Sequence, residues 1–380
     1  MRIVIVGPFP IDCRLVRGGV ESSVLGLAKA LVESGHEVSV LDLPRKGGKT
    51  QEEEQLGIRV FRFANKRQTN LLSVAEVKHY SEKIREIQPD VCHLHNTSAF
   101  SYRLYQEVSQ SRIKTLLTVH GLARVEQRKK LSKHWNWRTW VKYVYQSYVE
   151  KKLLLSGVRI IVDTEYVKEH IAENYQRETT SVHVIPQGVD ASYYTIENAS
   201  RDNRIFSLGA FQPRKGQVVM IRIFADVKKK IPDAKLVLMG AVSDTVYYER
   251  VCEEWEKSSY KNDIELHPNA DVAEVRKQYE QARLFALYTA EESQGIVFCE
   301  AMAAGIPVVS THVGGVPYIV TDNRCGALSD YGDEEGFVSN IVSLLGDEST
   351  EERRDYIRMQ AGVYRWSAIA QRIVSVYEQL

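Results

Sequence analysis

Residues 284–310 read LFALYTAEESQGIVFCEAMAAGIPVVS. Leu284–Tyr288 is a short apolar run, the pattern of a strand buried on both faces. From about Gly295 the chain turns into a helix of small residues, and Pro307–Ser310 begins another buried strand. Two strands joined through a helix lie parallel in one sheet, and the helix covers one of its faces. This stretch therefore predicts an α/β fold.

The same unit repeats along the chain. Ile205–Leu208, Ala234–Met239 and Ile264–Leu266 read as strands, with helices at Gln217–Lys230 and Val272–Gln281. Nearer the N-terminus, strands are expected at Ile3–Val6, Val38–Leu41, Asp90–His95, Lys114–Val119 and Arg159–Val162. Helical patterns cover Val20–Val32, with Val24, Leu27, Ala28 and Leu31 on one face, then Val74–Ile87 and Trp137–Leu155. Gly35 and Pro89 break the chain after the first two. Asp190–Asn203 is polar and without period, so the boundary falls there, giving one domain at 1–190 and a second at 191–365. The last segment is amphipathic through Ile369, Ile373, Val374 and Tyr377. Two Rossmann-like, doubly wound parallel-sheet domains follow, facing each other across a cleft, with ligands expected beyond the carboxyl ends of the strands.

With 380 residues, 44% of them apolar, the chain can fill two cores. A formal net charge of +1 gives no global attraction for nucleic acid, and no nucleic-acid partner is expected. Five scattered cysteines without a CxxC pair argue for a reducing compartment. The apolar run after Met1-Arg2 is too short for a secretory signal, and no stretch reaches the length of a membrane span, so a cytoplasmic location is expected.

Chemistry is expected just after the strands. Glu292 stands in the loop before the helix, and Glu300 about a turn inside it. The loop Gln294-Gly295-Ile296 feeding a helix N-terminus turns backbone N–H groups and the positive end of the dipole toward an anion such as a diphosphate. In a low-dielectric setting Glu300 can accept hydrogen bonds from vicinal hydroxyls, as on a ribose. As two isolated glutamates they read more simply as a helix cap and a solvated helical residue. Ser207-Leu-Gly-Ala-Phe-Gln-Pro-Arg-Lys-Gly216 follows the first strand of the second domain and carries Gly209, Arg214 and Lys215. A cation there can neutralise phosphate oxygens, though Lys215 alone also fits a surface lysine.

In the first domain, Gly18-Gly19 precedes a helix and permits close backbone approach to a ligand, or marks an ordinary loop. There is no GxGxxG after Val6, which disfavours a nicotinamide dehydrogenase. His120 ends a strand within TVHG, where it can hydrogen-bond a sugar hydroxyl or move a proton. His93 and His95 share one strand face while adjacent Cys92 points the other way, so the three cannot converge on a metal.

Together these strings resemble the retaining GT-B glycosyltransferases of family GT4, the glycosyl transferases group 1. The likeness is carried by Glu292-x7-Glu300, the EAMAAGIPVVS run, the GGVP after it, Lys215-Gly216, Gly18-Gly19, TVHG, HLHN and IPQGVD at 185–190. It implies that Glu300 holds the donor ribose, that Glu292 and His120 lie beside the donor sugar, and that Lys215 neutralises the diphosphate. Gly18, Gly19, Gly209, Arg214, Gln294, Gly295 and Ile296 are then donor-binding, no metal or other cofactor is needed, and the helix at about 366–380 crosses back to the first domain. The chain departs from the pattern at Ala210, where an Arg is expected, at Tyr318, where GGVP is usually followed by Glu, and at Gln187, where Asn is usual. Arg214 is placed to substitute for the missing cation.

The resemblance implies transfer of a sugar from a nucleotide-sugar donor to a glycan, lipid-linked or small-molecule acceptor with retention of configuration. A non-catalytic nucleotide-sugar binder, made worth testing by Ala210, and a nucleotide-sugar epimerase of the same fold are the alternatives. Residues 124–152 interleave lysines and arginines with Trp135, Trp137, Trp140, Tyr143, Tyr145 and Tyr148. This run reads either as a peripheral contact with an anionic membrane surface or as a helix whose Trp137, Val141, Val144 and Tyr148 face the core.

Overall fold

A computed structural model describes residues 1–13, 18–43, 50–64, 74–122, 137–197, 202–348 and 350–380. The chain forms two compact units: Met1–Gln187 together with Trp366–Leu380, and Gly188–Arg365. The division after Gln187 lies slightly ahead of the boundary read from sequence at residue 190.

The first unit runs β1 (Arg2–Gly7), α1 (Gly19–Glu33), β2 (Glu37–Asp42), β3 (Gln51–Gln55), β4 (Ile58–Arg62), α2 (Val74–Ile87) and β5 (Val91–His95). It continues through α3 (Ala99–Ser109), β6 (Lys114–Val119), α4 (Trp137–Leu154), β7 (Arg159–Val162), α5 (Glu165–Tyr175) and β8 (Val182–Val184). The strand order is β3-β4-β2-β1-β5-β6-β7-β8. Side chains alternate across this sheet as the period of two requires: Ile3 and Ile5 join the core under α1, while Val4 and Val6 join the core on the opposite face.

The sheet is not wholly parallel. β3 pairs antiparallel with β4 through a two-residue turn at Leu56-Gly57, both with positive φ (55° and 75°). Gln-Glu-Glu-Glu-Gln has no apolar alternation to announce a strand. Its place at the edge is fixed by the turn and by cross-strand charge pairs, Arg62 Nε to Glu53 Oε1 at 2.8 Å and Arg59 Nη2 to Glu52 Oε1 at 3.2 Å.

The C-terminal helix, Trp366–Glu378, belongs to this unit, burying Ile369, Ala370, Ile373, Val376 and Tyr377 against α1 and β1. Gly26 of α1 admits the Trp366 ring: a Cβ there would lie 2.1 Å from the indole nitrogen.

The sequence alternative that sets the face of α4 toward a core is overturned. Trp137, Val141, Val144 and Tyr148 are exposed, and the buried positions are Val149, Glu150, Leu153 and Leu154. The preceding stretch, 123–136, including Trp135 and most of the basic run, lies outside the described residues. Among the described residues no helix is long and apolar enough to cross a membrane.

The second unit comprises β9 (Arg204–Leu208), α6 (Gln217–Lys230), β10 (Lys235–Gly240), α7 (Thr245–Lys257), β11 (Ile264–Pro268), α8 (Val272–Gln281) and β12 (Leu284–Leu287). It closes with α9 (Ile296–Ala303), β13 (Val308–Thr311), β14 (Gly326–Ser329), α10 (Glu334–Gly346) and α11 (Glu351–Gln360). Its sheet is parallel throughout, ordered β11-β10-β9-β12-β13-β14. Helix α9 buries Phe298, Cys299, Ala301, Met302 and Ala303, which is why its sequence is apolar on nearly every side.

In both sheets the order reverses beside the first strand, between β1 and β5 and between β9 and β12. At such a reversal, neighbouring loops leave in opposite directions and open a crevice at the strands' carboxyl ends.

Candidate functional site

In the second unit the β9 and β12 loops meet at their sheet's reversal. After β9 a short turn, Pro213–Lys215, precedes Gly216 and α6. After β12 the chain passes Thr289 and Glu292 before Gly295, the N-cap of α9, which takes φ 85°. This left-handed position suits glycine, and a Cβ there would lie 2.6 Å from the Phe298 ring.

The two loops are joined by a charge pair. Lys215 Nζ donates to Glu292 Oε1, with both side chains about nine-tenths buried. Thr289 Oγ1 donates to the same carboxylate oxygen at 3.0 Å. Arg214 Nη1 lies 3.8 Å from the other oxygen and donates to the Glu291 carbonyl at 3.1 Å. The Glu292 backbone is fixed from behind by GGVP, where Gly315 N–H donates to the Glu292 carbonyl at 2.9 Å. Gly209 packs against the Lys215 stem, its notional Cβ 3.2 Å from Cδ. Lys215 is thus a buried, positioned cation, not the surface lysine of the simpler reading.

Glu300 sits one helical turn into α9, half-buried, and accepts from Tyr279 Oη at 3.0 Å. Desolvation pushes its pKa up to about 7, nearby Asp190 adds to the rise, and the Tyr279 hydrogen bond opposes it. The solvated helical residue of the simpler reading is therefore not what the fold makes of it. Gln294 is buried with its amide 3.5 Å from the Cys299 sulfur, and Ile296 packs on the core beneath α9. Thr289 and Tyr279 were not singled out in the sequence. A threonine two residues past a strand and a tyrosine on a neighbouring helix carry no motif of their own.

In the first unit the polar residues again gather at strand ends. Gly18 caps α1, its carbonyl accepting from Ser22 N–H at 3.0 Å, and among the described residues neither Gly18 nor Gly19 has a non-neighbouring atom within 4 Å of a notional Cβ. Arg17, before them, lies outside the described residues. His120, just past β6, shares a 2.8 Å hydrogen bond between its Nε2 and His95 Nδ1, and its Nδ1 lies 3.7 Å from Asp163 Oδ2. Gln187 Nε2 donates to the same Asp163 oxygen at 2.7 Å. His93 bridges Tyr377 Oη and Thr118 Oγ1, each at 2.7 Å.

Burial lowers the His93 pKa to about 3, helped by His120, and holds His95 well below the usual histidine range, helped by His93 and His120. His93 and His95 are therefore neutral near pH 7, and the neutral His93 ring donates through one nitrogen and accepts through the other. Among the described residues no group of three or more His, Cys, Asp or Glu is placed to share a metal ion. Asp163 was missed in the sequence, although it stands directly after the strand Arg159–Val162.

Two doubly wound units in one chain, each with polar residues gathered at strand ends, are the arrangement of the GT-B class of α/β protein. Residues 17–193 match the family model for Glycosyltransferase Family 4, and residues 195–361 match that for Glycosyl transferases group 1. The chain belongs to this glycosyltransferase family. Phosphatidyl-myo-inositol mannosyltransferase of Mycolicibacterium smegmatis is 26% identical over 399 residues, covering 100% of this chain and 94% of that protein. D-inositol 3-phosphate glycosyltransferase of Segniliparus rotundus is 28% identical over 242 residues, or 60% of this chain, which spans about half (54%) of that relative's length. Sucrose-phosphate synthase (tll1590) from Thermosynechococcus elongatus shares the fold with a TM-score of 0.81 at 19% identity, covering 100% of this chain and 98% of that one. Anabaena Alr3699/HepE, solved in complex with UDP, gives 0.75 at 16% identity, covering all of both chains.

Proposed function

We propose that this protein transfers a sugar from a nucleotide-sugar donor to an acceptor hydroxyl with retention of configuration, binding the donor on the second unit. The observation that carries the reading is the buried Lys215–Glu292 pair beside the helix that bears Glu300. An anion arriving at the β9/β12 reversal meets a desolvated ammonium, a second cation in Arg214, and the amino end of α9. Those groups suit a diphosphate. Glu300, once ionised, suits the two hydroxyls of a ribose. Arg214 lies near the same carboxylate as Lys215, which supports it as the replacement for the cation missing at Ala210.

In the first unit His120 is assigned to a sugar hydroxyl, and Gly18 and Gly19, with no other described residue against them, are assigned to backbone contact with the ligand. No metal or other cofactor is invoked. The C1–O bond to the diphosphate breaks as the acceptor oxygen bonds to C1 on the same face, and the hydroxyl proton passes to the departing phosphate oxygen. Lys215 then stabilises the leaving diphosphate. Glu292 is engaged by Lys215 and Thr289, which fits a positioning group better than a covalent nucleophile.

The test is product analysis. Purified protein is incubated with UDP-, GDP-, ADP- and TDP-sugars and with acceptors beginning with inositol phosphates and phosphatidylinositol, the classes named in its relatives. The expected product keeps the donor's anomeric configuration in its proton NMR coupling. An inverted product overturns the retaining mechanism, and a donor sugar altered without acceptor shifts the reading to epimerisation.

A further inference from the structure

We propose that the outer face of α4 docks on an anionic lipid bilayer. Trp137, Trp140, Val141, Val144, Tyr145 and Tyr148 recur at three- and four-residue spacing, so they form one stripe along the helix. Such a stripe normally marks a helix's core side. Here it faces out, each of the six leaving 39–62% of its surface exposed. The chain instead buries the opposite side of the last turns, through Val149, Leu153 and Leu154.

Charge selects the occupant. Lys151 and Lys152 continue the stripe at its carboxyl end, Lys142 flanks it, and all three are exposed. Lys152 Nζ lies 5.7 Å from the Tyr148 ring centre. The one acid of the helix, Glu150, is turned inward, accepting from Tyr175 and from Thr97 Oγ1 at 3.0 Å. The exposed face of α4 is therefore apolar and cationic with no carboxylate. A second copy seated symmetrically on this face would offer those lysines no carboxylate partner, because the exposed face of α4 carries none. Tryptophan and tyrosine rings prefer the headgroup level of a membrane, and lysines prefer acidic lipid, so an anionic bilayer satisfies both parts of the face.

The proposal stands apart from the transferase reading, because it needs neither donor nor turnover. Full-length protein is sedimented with phosphatidylcholine vesicles, with and without phosphatidylglycerol, at low and high salt. Binding is expected only with phosphatidylglycerol, weakening with salt, with a blue shift in tryptophan emission. The triple variant Trp140→Ser, Val144→Ser, Tyr148→Ser removes exposed side chains of the stripe and should abolish sedimentation at an unchanged melting temperature. Each of Lys142→Gln, Lys151→Gln and Lys152→Gln should weaken partition about fivefold. Absence of binding to phosphatidylglycerol vesicles, or binding that survives the triple variant, overturns the proposal. So does a dimer by light scattering that the triple variant dissociates.

Discussion

Lys215 and Glu292 stand 77 residues apart in sequence, yet their side chains form an ion pair about nine-tenths buried at the β9/β12 reversal. Each leaves water mainly because the other is there. Removing one partner strands a buried charge, whereas neutralising both does not.

Lys215→Met should therefore destabilise the protein by about 3 kcal/mol, since Arg214 at 3.8 Å compensates only in part. The double variant Lys215→Met, Glu292→Gln should recover most of that loss while remaining unable to bind donor. Urea unfolding of wild type, both single variants and the double variant measures the coupling. If Lys215→Met is as stable as wild type, the pair is not the buried charge contact described.

Glu300 gives a pH dependence. Its folded pKa of about 7 lies above the ordinary carboxyl value, so the folded state holds this proton more tightly than the unfolded chain. Its contribution to stability is complete below about pH 4.5 and is lost as pH rises through 7. Glu300→Gln should be the more stable protein at pH 8, by on the order of 1–2 kcal/mol for a half-buried group, and nearly equal to wild type at pH 5. Ribose hydroxyls prefer the ionised carboxylate, so nucleotide-sugar affinity should rise between pH 6 and 8 in wild type and stay flat in Glu300→Gln. Titration calorimetry at three pH values distinguishes the two.

The buried histidines act in the opposite direction. His93 has a folded pKa of about 3, and His95 is also held low, so the unfolded chain takes up protons that the fold excludes. Stability should fall as pH drops below about 6.5, by about 2 kcal/mol per histidine at pH 5. His93→Gln should shallow that slope while lowering stability at neutral pH, because Tyr377 and Thr118 lose their shared partner. An unchanged slope in His93→Gln would count against a neutral buried imidazole there.

The seating of the C-terminal helix rests on the absence of a side chain at Gly26. With a Cβ 2.1 Å from the Trp366 indole, Gly26→Ala cannot keep the ring in place. A loss of about 1–3 kcal/mol is expected, with a red shift in Trp366 emission as the ring moves toward water. Unaltered fluorescence and melting would place Trp366 elsewhere.

Much of this was legible in the sequence, and the parts that were not have physical reasons. Strands such as Ile3–Val6 and Ile205–Leu208 announce themselves because both their faces are buried. Glu292, Glu300, Lys215 and His120 stand out because they follow strands. Tyr279, His95 and Asp163 could not be paired with Glu300 and His120, since contacts between different strands and helices depend on sheet order, not on spacing, and Thr289, three residues before Glu292 in the same loop, carries no motif. β3 was illegible because charge and a turn hold it without apolar alternation. Helix α4 misleads in the other direction: its spacing is that of a core face, but whether a stripe is covered is settled by neighbours that periodicity does not reveal. Helix α3 had a usable signal in Phe100, Leu104 and Val108 behind the Ser98 cap.

The proposed donor site is tested most directly by melting wild type and Glu300→Gln with UDP-, GDP-, ADP- and TDP-sugars and the free nucleotides. A ligand that binds only the folded state raises the melting temperature by mass action. One nucleotide series should stabilise wild type, and the shift should shrink in Glu300→Gln. No shift with any of them at saturating concentration, or a full shift retained by Glu300→Gln, would contradict a nucleotide-sugar site built on Lys215, Glu292 and Glu300.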